Sequence, residues 1–214
     1  MSKEKSRNSL GERSTLFPVS LAVNNQCVDV ETDPIVGLRG LGMSYWALVT
    51  TRNRCKNLSR TLESIFSQER PCARVIVFDD GSSDGTMDVL ESYKHKCDSV
   101  IRLLHRPDLG YDIKRVVRNW NACLAEAQSE GLDRGLDFTL ITADDCVYPS
   151  NYVRTIVERM NTDPLFVVAS GTRGVPAPLD GWRPPEGSGR IIRNSFFSSV
   201  GFRFPEKSLS LIHI

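Results

Sequence analysis

The stretch that decides the fold is RVIVFDDGSSDGTMDVL, residues 74–90. Four consecutive apolar residues run directly into Asp79 and Asp80, and a turn rich in glycine, serine and aspartate follows. A continuous apolar run that ends at turn residues is typical of a strand buried on both faces. After the turn, apolar residues recur at helical spacing from 87 to 93. The stretch therefore predicts a buried strand, a polar turn and a helix, with two carboxylates where the strand ends.

The alternation of strand and helix extends through the middle of the chain. Apolar runs predict five strands, at residues 45–51, 74–78, 99–104, 137–142 and 165–170. Each of the first four is followed by a segment whose apolar residues share one helical face. Continuous apolar strands that alternate with helices favour a mainly parallel sheet with helices on both faces. The predicted fold class is therefore α/β.

The two ends of the chain lack this pattern. Residues 1–42 show no sustained period, so we predict a loosely structured N-terminal extension there. Residues 43–214 are predicted to form one domain. Within that domain, the segment after residue 171 is rich in glycine and proline and too irregular for a helix or strand. Such a long irregular segment is expected to be either a functional lid or disordered.

Composition narrows the class of protein. The 27 basic and 26 acidic residues give a net charge of +1, so no charge field points to nucleic acid or to an anionic membrane. Six cysteines occur without a C-x-x-C pair, which gives no sign of a zinc site or redox pair and favours reduced thiols in the cytoplasm. No apolar run approaches the ~18 residues of a membrane span. The sequence predicts a soluble protein, and a peripheral association with a membrane stays open.

Polar residues stand where three of the predicted strands end. In a parallel sheet, ligands bind in the crevice at the carboxyl ends of the strands. We therefore expect the polar groups that follow these strands to converge on one rim. The first strand ends in Thr50, Thr51, Arg52 and Asn53, the second in Asp79 and Asp80, and the fourth in Thr142, Ala143, Asp144 and Asp145, of which all but Ala143 have polar side chains.

Two interpretations of Asp79 and Asp80 are open. Aspartates in a glycine- and serine-rich turn often cap the next helix and face solvent. A cap needs one carboxylate, however, and here two follow a buried strand directly. This favours the second interpretation, in which one of them accepts hydrogen bonds from the N–H or O–H groups of a base or ribose.

The second acidic pair, Asp144 and Asp145, suggests a divalent cation. Two ionised carboxylates this close repel each other unless a positive charge joins them. Mg²⁺ or Mn²⁺ takes one or two carboxylates and completes its shell with phosphate oxygens and water. The alternative is that one aspartate faces solvent and the other caps a helix that begins near Ser150.

Four segments in order resemble the family 2 glycosyltransferases, which have the GT-A nucleotide-sugar-binding fold. They are WALVTTRNRCKNLSRTLESIFSQ, RVIVFDDGSSDGT, RNWNACLAEA and TADDCVYP. The resemblance covers about residues 45–205. It implies an inverting enzyme that moves a sugar from a nucleotide-diphosphate donor to a glycan, lipid-linked or other hydroxyl acceptor. It also implies a divalent cation, Mn²⁺ or Mg²⁺.

The resemblance assigns roles position by position. It implies that Asp80 contacts the base of the nucleotide, that Asp145 is the metal ligand, and that Asp144 lies near the ribose or shares the metal. Arg52 and the leading Thr142 depart from the pattern of the family, which has an aromatic residue and a carboxylate there. The full donor-binding set implied is Thr50, Thr51, Arg52, Asn53, Asp79, Asp80, Arg118, Asn119 and Asp144.

The general base is expected outside the given sequence, and two other functions stay open. The resemblance implies an Asp or Glu base somewhat after a segment like GSGRIIRNSFFSSVGFRFPE, residues 187–206. We expect that base to lie beyond Ile214 and the sequence to be a fragment that lacks it. One rival is a nucleotide-sugar binder without catalysis. The other is a Mg²⁺-dependent nucleotidyl- or phosphotransfer domain, against which stands the absence of a G-x-x-x-x-G-K-[ST] loop.

Overall fold

The computed structural model describes residues 19–23, 26–30, 45–97, 101–130, 138–171, 188–201 and 203–204 of the 214-residue chain. Within this part, one eight-stranded sheet has the order β2-β1-β7-β8-β6-β3-β4-β5. The strands are β1 Val19–Val23, β2 Gln26–Val30, β3 Tyr45–Thr51, β4 Cys72–Asp79, β5 Ile101–His105, β6 Phe138–Ala143, β7 Val168–Gly171 and β8 Arg190–Arg193. The helices are α1 Cys55–Phe66, α2 Thr86–Cys97, α3 Arg115–Ser129, α4 Tyr152–Asn161 and α5 Asn194–Ser199.

The sheet combines a parallel half and an antiparallel half. β3 pairs in parallel with β4 and β6, and β4 pairs in parallel with β5. β8 is antiparallel to both β6 and β7, and β1 is antiparallel to β7 and β2. The predicted α/β class is confirmed, and the sheet is mixed because parallel pairing is confined to the four strands linked by long helical crossovers.

Alternating residues of the central strands face two separate cores. Ala47 and Val49 of β3 belong to the core that is covered by α1, α2 and α4. Trp46 and Leu48, from the same strand, belong to the core that is covered by α3 and α5. Because successive strand residues point to opposite faces, a strand buried on both sides must be apolar throughout. This explains the continuous apolar runs in the sequence and confirms the helices on both faces.

The path of the chain creates a crevice beside β3. From β3, the chain moves outward through α1 to β4 and through α2 to β5. Helix α3 then crosses the opposite face and returns the chain to β6, on the other side of β3. The order therefore reverses between β3 and β6, and in open α/β sheets such a switch point is where ligands bind.

Several elements differ from the sequence prediction. The first residues of the predicted strand 165–170 form a turn, in which Phe166 N donates to Asp163 O at 3.1 Å, so β7 starts later. β1 and β2 lie within the extension that was predicted to be loosely structured, and the sequence pattern did not predict β8 or α5. The rest of residues 1–42, the glycine- and proline-rich segment at 172–187 and the final residues lie outside the described part of the chain.

None of the helices in the described part of the chain is long and apolar enough to cross a bilayer.

Candidate active site

Asp144 joins the two strands at the switch point. It is the first residue after β6 and is only 7% exposed. Its Oδ2 accepts a hydrogen bond from Thr51 Oγ1 at 2.7 Å and a longer one from Arg52 N at 3.4 Å. Burial raises the pKa of Asp144, although the Thr51 hydrogen bond and the charge of Arg54 act in the opposite direction. The carboxylate is therefore held firmly at the end of β3.

Asp145 has a different environment from its neighbour. Its side chain is exposed, and Cys146 Sγ approaches its Oδ1 at 3.5 Å, a weak hydrogen bond. Among the residues that the structure describes, no group of three or more His, Cys, Asp or Glu side chains could hold a metal ion by itself. An accessible carboxylate of this kind fits a Mg²⁺ or Mn²⁺ ion that takes its other ligands from phosphate and water.

Asp79 points into the protein. It is fully buried, and its carboxylate accepts hydrogen bonds from Ser82 Oγ and, at 3.2 Å, from Ser82 N. His105 Nδ1 lies 3.0 Å from its Oδ2. Both carboxylate oxygens thus have partners within the protein, and they fix the turn that follows β4. The predicted contact between Asp79 and a donor nucleotide stays a prediction.

Asp80 lies among three arginines. Arg115 Nε donates to its Oδ2 at 3.2 Å, and Arg106 Nη1 lies 3.4 Å from its Oδ1. Arg52 Nη1 donates to its backbone oxygen at 2.5 Å. We call Arg52, Arg106 and Arg115 the arginine cluster. Asp80 Oδ1 is buried beside Arg106 and accepts no hydrogen bond from the described residues.

Thr51 connects the two acidic segments. Its side chain donates to Asp144, and its backbone oxygen accepts a hydrogen bond from Asp80 N at 3.0 Å. The residues after β4 and β6 therefore meet on either side of the end of β3. The structure brings Thr51, Asp80 and Asp144 together on one rim, as the positions of the strand ends suggested. Thr50, the preceding residue, is half-buried in register with Phe78 and Ala143.

Arg52 ties the end of β3 to the loop that follows β5. In addition to Asp80 O, it contacts Asp108, whose Oδ1 lies 2.6 Å from Arg52 Nη2. The hydrogen bond from Arg52 holds the pKa of Asp108 below its ordinary range, helped by the backbone N–H of Gly110. Arg52, at a position where the resemblance implies an aromatic residue, thus connects two loops of the rim.

Asn53 connects the end of β3 with the turn after β4. Its backbone is in the left-handed region, with φ of 51°, where asparagine is tolerated better than most residues. Its Oδ1 accepts a hydrogen bond from Ser83 N at 2.7 Å, and its own N–H donates to Ser82 Oγ at 2.8 Å. These hydrogen bonds join the end of β3 to the turn after β4, next to the start of α1.

The beginning of α1 is capped by residues from the same turn. Arg54, the residue before the helix, provides no side-chain cap. Instead, Asp84 Oδ2 accepts a hydrogen bond from Cys55 N at 3.2 Å, and Asp84 Oδ1 accepts one from Thr86 N at 2.9 Å. Burial alone would raise the pKa of Asp84, but the bonds from Thr86 and Cys55 lower it. A surface cleft beside them is lined by Asn53, Arg54, Cys55, Lys56, Asn57 and Asp84.

Three further residues that were singled out from the sequence lie away from the Thr51, Asp80 and Asp144 contacts. Arg118 is exposed on α3, one turn after Arg115. Asn119 is buried, and its Oδ1 accepts no hydrogen bond within the described part of the chain. Thr142 is fully buried, and its Oγ1 lies 2.5 Å from Tyr148 Oη, so this residue belongs to the core rather than to the rim. Roles of Arg118 and Asn119 in donor binding stay predictions.

Two members of the arginine cluster, Arg106 and Arg115, were not predicted from the sequence. Arg106 follows β5 directly, so the rule that pointed to the ends of β3, β4 and β6 would have found it at the end of β5. Arg115 begins α3, three residues before Arg118, and its burial depends on the fold. Nothing in the local pattern separates it from an ordinary basic residue at a helix start.

Solved structures with a similar fold are glycosyltransferases of the GT-A type. The crystal structure of S. aureus TarS 1-349 matches with a TM-score of 0.56 and 19% identity, over 79% of this chain and 53% of that one. The mannosyltransferase PcManGT from Pyrobaculum calidifontis, in complex with GDP-Man and Mn²⁺, matches with a TM-score of 0.58 and 20% identity, over 77% and 48%. TarS 1-349 in complex with UDP-GlcNAc gives 0.54 and 20%, over 76% and 49%. The chain therefore has the GT-A fold, and it spans about half the length of these proteins.

The family follows from the sequence itself. Residues 46–211 match the model of glycosyl transferase family 2. This match covers most of the chain, and the chain belongs to glycosyl transferase family 2. No match was found among curated proteins.

Proposed function

We propose that this chain is the donor-binding part of an inverting glycosyltransferase. It binds a nucleotide-diphosphate sugar and transfers the sugar to a hydroxyl of a glycan, lipid-linked or other acceptor. The observation that carries the proposal is the position of Thr51, which bonds to Asp80 through its backbone and to Asp144 through its side chain. One nucleotide can therefore reach both acidic segments at once.

The nucleoside is assigned to the Asp80 side of this rim. Asp80 Oδ1 is a buried acceptor without a hydrogen bond in the described chain, and a base offers N–H donors. Arg115 and Arg106 offset the negative charge of this carboxylate, and Arg52 holds the adjacent loops. Asp144, held by Thr51, accepts a hydrogen bond from a ribose hydroxyl or binds the metal together with Asp145. Thr50, Asn53, Asp79, Arg118 and Asn119 complete the proposed donor-binding set.

The diphosphate is assigned to Asp145. Its accessible carboxylate would hold one Mn²⁺ or Mg²⁺ ion, and the PcManGT structure was determined with GDP-Man and Mn²⁺. A divalent ion at this point supplies Lewis-acid stabilisation of the negative charge that grows on the leaving diphosphate. The protein supplies the fixed carboxylates and arginines that orient the donor before the bond breaks.

The proposal also covers the activation of the acceptor and the location of the protein in the cell. Acceptor activation requires a base within hydrogen-bond reach of the attacking hydroxyl. We assign that role to none of the described residues. A role in glycan biosynthesis in the cytoplasm accords with Cys55, Cys72, Cys123 and Cys146, which form no disulfide, because reduced cysteines are typical of that compartment.

Thermal-shift measurements with nucleoside diphosphates test the donor site. At about 100 times Kd a ligand adds about 2.7 kcal/mol to the free energy of unfolding. This corresponds to a rise in Tm of about 5–10 °C for a chain of this size. We expect a rise with the correct nucleotide and a further rise with Mn²⁺. Asp145→Ala should abolish the Mn²⁺-dependent part without lowering the Tm of the free protein, because its side chain is exposed.

A matched control and an activity assay separate the alternatives. Glu63→Ala removes an exposed carboxylate from the middle of α1 and should leave both shifts unchanged. A Mn²⁺-dependent shift that survives Asp145→Ala would move the ion to another site. Release of nucleoside diphosphate from a panel of activated sugars distinguishes a transferase from a binder, which shifts its Tm but turns nothing over. Transfer of a phosphoryl or nucleotidyl group instead would favour the phosphotransfer alternative.

A further inference from the structure

Exposed apolar side chains concentrate in one loop beside the candidate active site. The apolar loop, residues 107–114, connects β5 to α3. Within it, Leu109 is 64% exposed, Tyr111 is 78% exposed and Ile113 is 42% exposed. Single exposed apolar residues are ordinary, but three within five positions form a surface that is costly to leave in water.

The base of the apolar loop is fixed to the protein. Asp108 forms the ion pair with Arg52, and Arg115 Nη2 donates to the backbone oxygen of Gly110. A Cβ on Gly81 would lie 2.5 Å from Asp108 Cα, so the two backbones are in direct contact. The loop therefore presents its apolar side chains from a defined position, rather than extending freely into solvent.

Two exposed basic residues, Lys114 and Arg118, follow these apolar side chains in the sequence. From residue 106 to residue 118 the chain has four basic side chains and two acidic ones, a surplus of two positive charges. Asp108 pairs with Arg52, and both Arg106 and Arg115 pair with Asp80, so Lys114 and Arg118 carry the positive surplus. Lys114 and Arg118 are exposed next to Ile113 and on the first turns of α3. Apolar and tyrosine side chains flanked by basic residues are the combination that binds the interface of an anionic membrane.

A fourth exposed apolar residue lies at the other end of the same rim. Val147 is 56% exposed and follows β6, whereas the apolar loop follows β5. Three strand spacings separate β6 from β5 in the sheet, or about 15 Å. The apolar side chains thus flank the carboxyl ends of the parallel strands, where the donor site is proposed to lie.

The size of this surface favours a bilayer over a protein partner. Three side chains and one valine offer much less area than the ~800 Å² that each partner of a stable protein complex buries. A bilayer accepts apolar side chains one by one and requires no complementary shape. We propose that the apolar loop docks on an anionic lipid bilayer and holds the active-site rim against the membrane surface. This contact does not depend on the proposed transfer reaction.

Vesicle sedimentation of the full chain, without any donor, tests the proposal. The chain should sediment with vesicles of equimolar phosphatidylglycerol and phosphatidylcholine, and much less with phosphatidylcholine alone or at high salt. The triple variant Leu109→Ser, Tyr111→Ser, Ile113→Ser should partition at least ~10-fold more weakly, because each exposed apolar group adds to the binding energy. Its Tm should match that of the original chain, since the three side chains are exposed.

A matched control comes from the opposite ends of the strands. Leu165 is 62% exposed in the turn before β7, at the amino ends of the parallel strands. Leu165→Ser should leave vesicle binding unchanged, and Lys114→Glu should weaken it. The proposal is overturned if the triple variant binds as the original chain does, if neutral and anionic vesicles bind equally, or if the chain binds no vesicles. The last result, together with loss of a dimer in the triple variant, would assign the loop to contact between copies.

Discussion

Replacing Arg115 with methionine tests the electrostatic centre of the rim. The side chains of Arg115 and Asp80 are 10% and 9% exposed, and Arg115 Nε lies 3.2 Å from Asp80 Oδ2. Removing one partner of a buried ion pair costs about 3–5 kcal/mol, because the remaining charge is left without compensation. Arg106 stays 3.4 Å from Asp80 Oδ1 and supplies part of that compensation. We therefore expect Arg115→Met to lower the free energy of unfolding by about 2–3 kcal/mol, below the usual range.

A double-mutant cycle assigns this loss to the pair. Arg115→Met, Asp80→Asn and the double variant are unfolded in urea, and the three changes in free energy are compared. Asp80→Asn alone leaves Arg115 and Arg106 close together without their anion. The double variant should therefore cost less than the sum of the single ones, with a coupling energy of about 1–3 kcal/mol.

An exposed ion pair provides the reference for this cycle. Arg102 contacts Glu126 at 2.6 Å, but its side chain is 54% exposed, so Arg102→Met should change stability little. Additive effects of Arg115→Met and Asp80→Asn would refute the reasoning. So would a loss of stability for Arg115→Met no larger than that for Arg102→Met, because the buried pair would then contribute no more than a surface pair.

Two other predictions concern the rim. A carboxyl group with a raised pKa binds its proton more tightly in the folded state, so Asp144 should lower stability as pH rises from about 3.8 through its raised pKa. Asp144→Asn should remove this step and raise Tm at neutral pH, as followed by thermal unfolding across pH; an unchanged pH profile would contradict it. Gly81→Ala should cost at least about 2 kcal/mol, since φ is +76° and the new Cβ would meet Asp108. Gly110→Ala, with φ of +74° and open space, should cost only about 1 kcal/mol in the same assay, and equal losses would show that the close approach is unimportant.

The parallel half of the sheet was predictable because burial on both faces leaves a strong local pattern. Residues 45–51, predicted as a strand, coincide with β3. The predicted strand at 74–78 lies within β4, and the one at 137–142 overlaps β6. The ends of such strands also mark the rim, since parallel strands deliver their carboxyl ends to one edge. The rim position of Asp80 and Asp144 follows from this rule.

The antiparallel half and the arginine cluster were not predictable in this way. β8 has only four residues, RIIR, with a charged residue at each end, so its sequence has no clear strand period. Its place in the sheet depends on pairing with β6 and β7, which are distant in the chain. Arg115 is likewise buried only because α3 brings it against Asp80. Such contacts arise from tertiary structure and leave no local signal.

The two adjacent carboxylates after β4 differ because one ends the strand and the other follows it. Asp79 remains in register with the sheet, and its carboxylate is hydrogen-bonded to Ser82 and to His105 of the neighbouring strand. Asp80 has left β4, and its carboxylate meets Arg115 and Arg106, which offset the repulsion from a second buried carboxylate. A helix cap would require neither arginine. Asp80 Oδ1, which accepts no hydrogen bond from the described residues, is the proposed acceptor for a nucleotide N–H. A base without a donor at that point would leave the oxygen unpaired at a cost of about 1–3 kcal/mol, and we expect Asp80 to select among nucleotides for this reason.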